Sequence, residues 1–142
     1  MFSGKQIPAV GVSIGIERIF NILEEKYKNS PDIRSVETEV FVAVIGKNLT
    51  KERFKVLNEL WESGINAEML YNENPRMDKQ MDYVINNKIP FMVFIGENEL
   101  KENKLKIKCM ANGNEVMVER GKLVEEVKKL KENPELLKVE KK

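Results

Sequence analysis

The chain has no histidine in its 142 residues, which removes imidazole general-base chemistry and histidine-ligated metals from consideration. Its one cysteine, Cys109, has no second thiol, so no internal disulfide can form and a reducing compartment is expected. No apolar run approaches the roughly 20 residues of a membrane-spanning helix, and no stretch has the pattern of a cleavable leader. An excess of one charge is lacking too. Against 23 acidic residues stand 24 Lys and Arg, a formal +1, which argues against tight, purely electrostatic nucleic-acid binding without excluding RNA. What remains is the size of a single domain, enough for one real core.

The most informative stretch lies near the front. A β-branched apolar segment (Ile7, Val10, Val12, Ile14) runs into Gly15, and Arg18 opens a helical pattern that continues through Ile19, Phe20, Ile22 and Leu23 to about Tyr27. An arginine on a glycine-bounded strand-to-helix junction suits ATP: its planar guanidinium lies over adenine or forks onto phosphate oxygens, and glycine lets a ligand approach the backbone. The spacing alone is equally that of an ordinary strand-turn-helix with a solvated arginine. Such a site with only ten residues before it suggests a piece of something larger.

Beyond a polar, proline-containing linker the chain alternates between strand and helix patterns. Glu39–Gly46 is a nearly continuous apolar run, as expected of a strand covered on both faces. Thr50 is placed to cap a helix running to Ser63, with Phe54, Leu57, Leu60 and Trp61 on its apolar face and Gly64 beyond its end. Ile65–Tyr71 follows as a second strand. Asn74 and Pro75 suit the cap and first turn of a helix burying Met77, Met81, Val84 and Ile85, and Phe91–Ile95 is a third strand bounded by Gly96. Helical connections of this length imply parallel pairing. The rhythm then changes: Leu105, Ile107 and Cys109 alternate with Lys104, Lys106 and Lys108, residues 111–114 turn, and Val116–Val118 return as an antiparallel hairpin. A last helix carries Leu123, Val124, Val127 and Leu130 on one stripe.

Residues 10–20, Val-Gly-Val-Ser-Ile-Gly-Ile-Glu-Arg-Ile-Phe, resemble motif 3 of the class II aminoacyl-tRNA synthetases in its histidyl form. The order β-α-β-α-β-β-β-α is similar to the anticodon-binding domain that follows the catalytic core in that class. The stretches 59–68, Leu70-Tyr71, Asn74-Pro75 and 89–97 resemble successive landmarks of the eukaryotic-type histidyl enzyme, so the likeness spans about residues 7–130. It implies an α/β fold, a mixed five-stranded sheet of three parallel strands plus an antiparallel hairpin. The implied division is residues 1–28 as a remnant of the catalytic domain, 29–36 as linker, 37–131 as anticodon-binding domain and 132–142 as charged tail.

The resemblance also implies function. The intact enzyme activates histidine with ATP and magnesium and transfers it to tRNA in the cytoplasm. Only Gly15, Glu17 and Arg18 of the ATP site are present here, so the chain alone is expected to form no adenylate, to need no cofactor and to hold no metal. Its expected partners are the anticodon loop of histidine tRNA, the rest of its own catalytic domain and a second copy of itself, with no membrane. The front strand evolved to pair inside an absent catalytic sheet and is expected either to stay disordered or to pair with its twin.

In open α/β sheets ligands gather beyond the carboxyl ends of parallel strands. The loop after the second strand offers Tyr71 to stack, Asn74 and Gln80 for paired hydrogen bonds, and Arg76 and Lys79 for phosphates or a guanine edge. Past the third strand, Glu97 and Glu99 are acceptors for the N1–H and N2–H edge of guanine. Each has a plainer reading: Asn74 as a helix cap, Tyr71 as strand-end packing, Arg76 and Lys79 as a solvated face, Glu97 and Glu99 as turn acids. The lysines at 104, 106 and 108 read as a solvated face that discourages edge pairing, and Trp61 and Cys109 read as core. A protein-interaction module with a borrowed fold is the competing function class.

Overall fold

The computed structural model describes Pro8, residues 10–28, Arg34 and residues 36–133, and the chain divides into two units, 1–33 and 34–142. Of the first unit, Val10–Ile14 form no strand and are exposed; Ile7, where the expected strand begins, lies outside the described residues. The helix α1 spans Ile16–Tyr27 and opens with Ile19 N–H bonded to the Gly15 carbonyl at 3.2 Å. Its apolar side, with Ile16, Ile19, Phe20 and Ile22, is exposed.

In the second unit β1 (Val40–Ile45) is an interior strand of a five-stranded sheet ordered β2-β1-β3-β4-β5. The short β2 (Ala67–Glu68) and β3 (Phe91–Gly96) lie parallel to β1 on either side. The hairpin β4 (Lys104–Cys109) and β5 (Glu115–Glu119) extends the sheet antiparallel from β3. The apolar runs in β1 and β3 are buried on both faces, as their lack of alternation requires. Val40, Val42, Phe91 and Val93 join Leu105, Ile107 and Cys109 in one core under α2 (Thr50–Glu62) and α5 (Leu123–Glu132). Phe41, Ala43, Met92 and Phe94 point the other way, under α3 (Met77–Asn86), where half-buried Met77 and Met81 pack. The five-residue α4 (Glu97–Lys101) follows β3 directly, where the sequence pattern predicts a loop. Beyond α5, the expected charged tail falls outside the described residues from 134 on.

Several local expectations are corrected. Thr50 is the first residue of α2 and does not cap it; its hydroxyl lies 3.4 Å from the Glu73 carbonyl. Asn74 is not the cap of α3, whose N-cap is Arg76. The buried stripe of α2 is Arg53, Val56, Leu57 and Leu60, while Phe54 and Trp61 are about half exposed at 51% and 53%. All six belong to one broad arc, but the sheet ends at the two-residue β2, so the residues on that flank have little beneath them. Ile85 is likewise exposed, on the outer side of α3. The lysines of β4 form a solvated face as expected, yet β4 is an interior strand and β5 is the edge. Their charges are answered close by, Lys106 and Lys108 by Glu115 on β5 and Lys104 by Glu102 just before β4.

The second strand is much shorter than Ile65–Tyr71. Side chains take over its hydrogen bonding. Past Phe41 the β1 edge has no strand partner on that side, and the Gln80 amide bonds Val44 instead, Oε1 accepting from its N–H at 2.9 Å and Nε2 donating to its carbonyl at 3.0 Å. The Leu70 and Asn72 carbonyls accept from Arg53 Nη2 at 3.1 and 2.9 Å. Buried backbone groups must be paired, and here two long side chains do what a longer strand would have done.

Candidate nucleic-acid interface

Because β1, β2 and β3 are parallel, the loops leaving their carboxyl ends share one edge of the sheet. From β1, α2 leads to a strand on one side and α3 to a strand on the other, so this edge holds a topological switch point. Three loops meet there. Gly46 and Asn48 leave β1 with positive φ (126° and 59°), turning the chain sharply. The Asn48 N–H donates to Asn74 Oδ1 at 3.2 Å, tying the first loop to the second. The Glu97 carboxylate lies over Gly46, 3.3 Å from where a Cβ would stand, which brings the third loop in.

The proposed contacts divide accordingly. Asn74, Arg76 and Lys79 line an open groove of about 730 Å³, whose wall continues along α3 through Asp82, Tyr83 and Asn86.

 A separate hollow of about 430 Å³ lies between α2 and the turn before α5, lined by Glu59, Arg120 and Val124. Among the described residues neither Arg76 nor Lys79 belongs to an ion pair, unlike the β4 lysines, so both cations face solvent uncompensated. Tyr71 stands almost free at 89% exposure and lines a second, smaller cavity of about 220 Å³ beside the β2 edge. Glu97 and Glu99 open α4 at the same end of the sheet but do not line the groove, and the Glu99 carboxylate folds back over Gly96. Gln80 is withdrawn from the surface altogether: it is fully buried, and its amide serves Val44 and the Pro75 carbonyl. Its place on α3, four residues after Arg76, turns it inward toward β1. Gly15, Glu17 and Arg18 lie exposed in the first unit, at the start of α1.

Two residues that matter here escaped the sequence reading. Arg53 is completely buried, and its Nε and Nη1 have no hydrogen-bond partner. Burial lowers its pKa from the ordinary arginine value. The signal was in the pattern: Arg53 occupies the i position of the stripe completed by Val56, Leu57 and Leu60. Glu68 is the other. Its Oε1 accepts from the Tyr83 hydroxyl at 2.7 Å and its Oε2 from Thr38 Oγ1 at 3.0 Å. The carboxylate next to it, helped by burial, pushes the Tyr83 phenol up to about 12.

The chemistry of this edge is therefore an open groove with two unpaired cations, amide and carboxylate hydrogen-bonding groups, and an exposed tyrosine. Such a set has the chemistry that phosphates and unstacked bases call for. The protein is similar to "Histidine--tRNA ligase, mitochondrial" of Pongo abelii, at 48% identity over 127 residues, 89% of this chain and 25% of that protein. It is 42% identical over 131 residues to "Histidine--tRNA ligase, cytoplasmic" of Dictyostelium discoideum, covering 92% of this chain and 27% of that one. The crystal structure of histidyl-tRNA synthetase from Nostoc sp. PCC 7120 superposes with a TM-score of 0.68 at 25% identity, over 82% of this chain and 26% of that chain. The chain thus spans about a quarter of the length of these relatives. Residues 39–130 match the anticodon binding domain family, and the chain belongs to it.

Proposed function

We propose that this chain is the anticodon-binding region of a histidine–tRNA ligase and that it reads unstacked anticodon bases of histidine tRNA at the carboxyl edge of its parallel strands. The observation that carries this reading is the groove holding Asn74, Arg76 and Lys79, with its cations unpaired, in a member of the anticodon binding domain family. Arg76 and Lys79 hold phosphates, Tyr71 stacks, and Asn74, Glu97 and Glu99 contact base edges. Asn74 keeps its amide nitrogen for this role while its oxygen holds the Asn48 N–H.

The parent protein would activate histidine with ATP and magnesium and pass it to the tRNA. This chain supplies Gly15, Glu17 and Arg18 to one wall of the ATP site, and by itself forms no adenylate. The exposed apolar side of α1 is covered by the rest of the catalytic domain or by a second copy. A cytoplasmic location is part of the same reading, supported by the buried free thiol of Cys109; relatives named for both cytoplasm and mitochondria match.

The test is titration of the chain with a histidine-tRNA anticodon stem-loop and with the same stem-loop lacking its anticodon guanines, at several salt concentrations. We expect a Kd weaker than about 1 μM that rises with salt, and a clear loss with the substituted loop. Equal binding of both RNAs would favour a protein-interaction module. Histidine-dependent ATP–pyrophosphate exchange by the purified chain would refute the inactivity of this piece.

A further inference from the structure

The geometry points to a second base-binding site beside the groove: the cavity between Phe54, Trp61 and Tyr71 takes one unstacked guanine, with Glu68 receiving its Watson–Crick edge. This rests on the reading above and deepens it.

The cavity lies at the free edge of β2. Its volume of about 220 Å³ is below the range of drug-sized pockets, ~300–1,000 Å³, and suits a single ring system. Phe54, Trp61 and Tyr71 line it and are 51%, 53% and 89% exposed. Three exposed aromatics around one small cavity are not core residues, and every base offers a face to stack on them. The indole is also fixed: Trp61 Nε1 donates to the Ala67 carbonyl at 2.8 Å.

Specificity comes from Glu68. Its two oxygens are held by Tyr83 and Thr38, which orients the carboxylate and leaves each oxygen a further lone pair. A carboxylate matches the paired N1–H and N2–H donors of guanine and repels the acceptor N1 of adenine. Continuity with the groove favours a nucleobase over another occupant. Tyr71 lies in the loop that carries Asn74 and Arg76, and Glu68 is bonded to Tyr83, which lines the groove on the opposite side. A strand of RNA following the phosphate-binding cations reaches this cavity around the sheet edge.

Trp61 is the chain's one tryptophan, so its emission reports on the surroundings of this side chain, and Tyr71, which lines the cavity but not the hollow on the other side of Trp61, ties a change to the cavity. The full chain is titrated with the anticodon stem-loop, with versions carrying adenine in place of guanine, and with trimethyl-lysine, while binding is followed in parallel by anisotropy of labelled RNA. Saturable quenching by the guanine RNA is expected, weakened about tenfold by Phe54→Ala and by Tyr71→Ala and little changed by Tyr71→Phe. Tyr71 is exposed enough that its replacement leaves folding intact even if Phe54→Ala does not fold. If the stem-loop binds by anisotropy but Trp61 emission and the Tyr71→Ala affinity stay unchanged, the cavity assignment is wrong, stacking by Tyr71 falls with it, and the reading of the groove through Asn74, Arg76 and Lys79 stands. No binding by either readout overturns both. Quenching by trimethyl-lysine and not by RNA overturns the assignment in favour of a cationic peptide, which an aromatic cage with an acid also fits.

Discussion

The side-chain amide of Gln80 bonds both backbone groups of Val44, accepting at 2.9 Å and donating at 3.0 Å across 36 residues of sequence. It is a strand's worth of pairing delivered by one residue, and it joins α3 to the β1 edge just before the loop at Gly46. The position of the whole groove depends on this link, since α3 carries Lys79 and Tyr83.

Gln80→Leu should therefore leave two buried backbone groups unpaired and destabilise the fold by about 1–3 kcal/mol. Gln80→Glu should be worse, because a buried carboxylate cannot donate to the Val44 carbonyl. Urea unfolding measures both. A Leu variant as stable as the parent chain would show that Val44 needs no partner.

Arg53 behaves differently. Its guanidinium is buried without an ion pair among the described residues, so burial of the charge offsets its two hydrogen bonds to carbonyls. Arg53→Met should change stability by less than about 1 kcal/mol, while amide exchange in residues 70–73 speeds up. A loss above about 3 kcal/mol would mean the guanidinium is well compensated after all.

Two glycines at the edge should respond unequally to alanine. Gly46 has a φ of 126°, and Gly46→Ala should be destabilised by about 1–3 kcal/mol through backbone strain. At Gly96 a Cβ would meet only the end of the Glu99 side chain, which can swing away. Gly96→Ala should then lose less than about 1 kcal/mol, and thermal unfolding of the pair tests the order.

The Tyr83 phenol titrates at about 12 because its hydrogen bond to Glu68, and then burial, favour the protonated form. Since the folded value lies above the unfolded one of 10.0, this interaction stabilises fully below pH 10 and is lost as pH rises toward 12. In a Tyr27→Phe, Tyr71→Phe background, tyrosinate absorbance should rise near pH 12. Adding Glu68→Gln should bring that titration down.

Replacing Arg76 and Lys79 with alanine should weaken stem-loop binding and lower the salt slope by about 1 for each lost phosphate contact. Lys106 and Lys108 are already neutralised by Glu115, so the same change there should leave the slope unaltered. Binding isotherms between low and physiological salt distinguish the two pairs.

The sequence by itself determined the strand–helix order and most of the core. The unbroken apolar runs in β1 and β3 can only be buried on both faces, and the alternation in β4 commits Leu105, Ile107 and Cys109 to one side. Which loops are polar was equally plain from Tyr71 to Lys79. Only the tertiary structure decided where β2 stops, and with it the fates of Gln80, Arg53 and Trp61. A glutamine and an arginine on helices read as solvated until a short strand leaves backbone groups for them to satisfy, and a tryptophan reads as core until the sheet beneath it runs out. Those demands come from neighbours distant in sequence, which no local period contains.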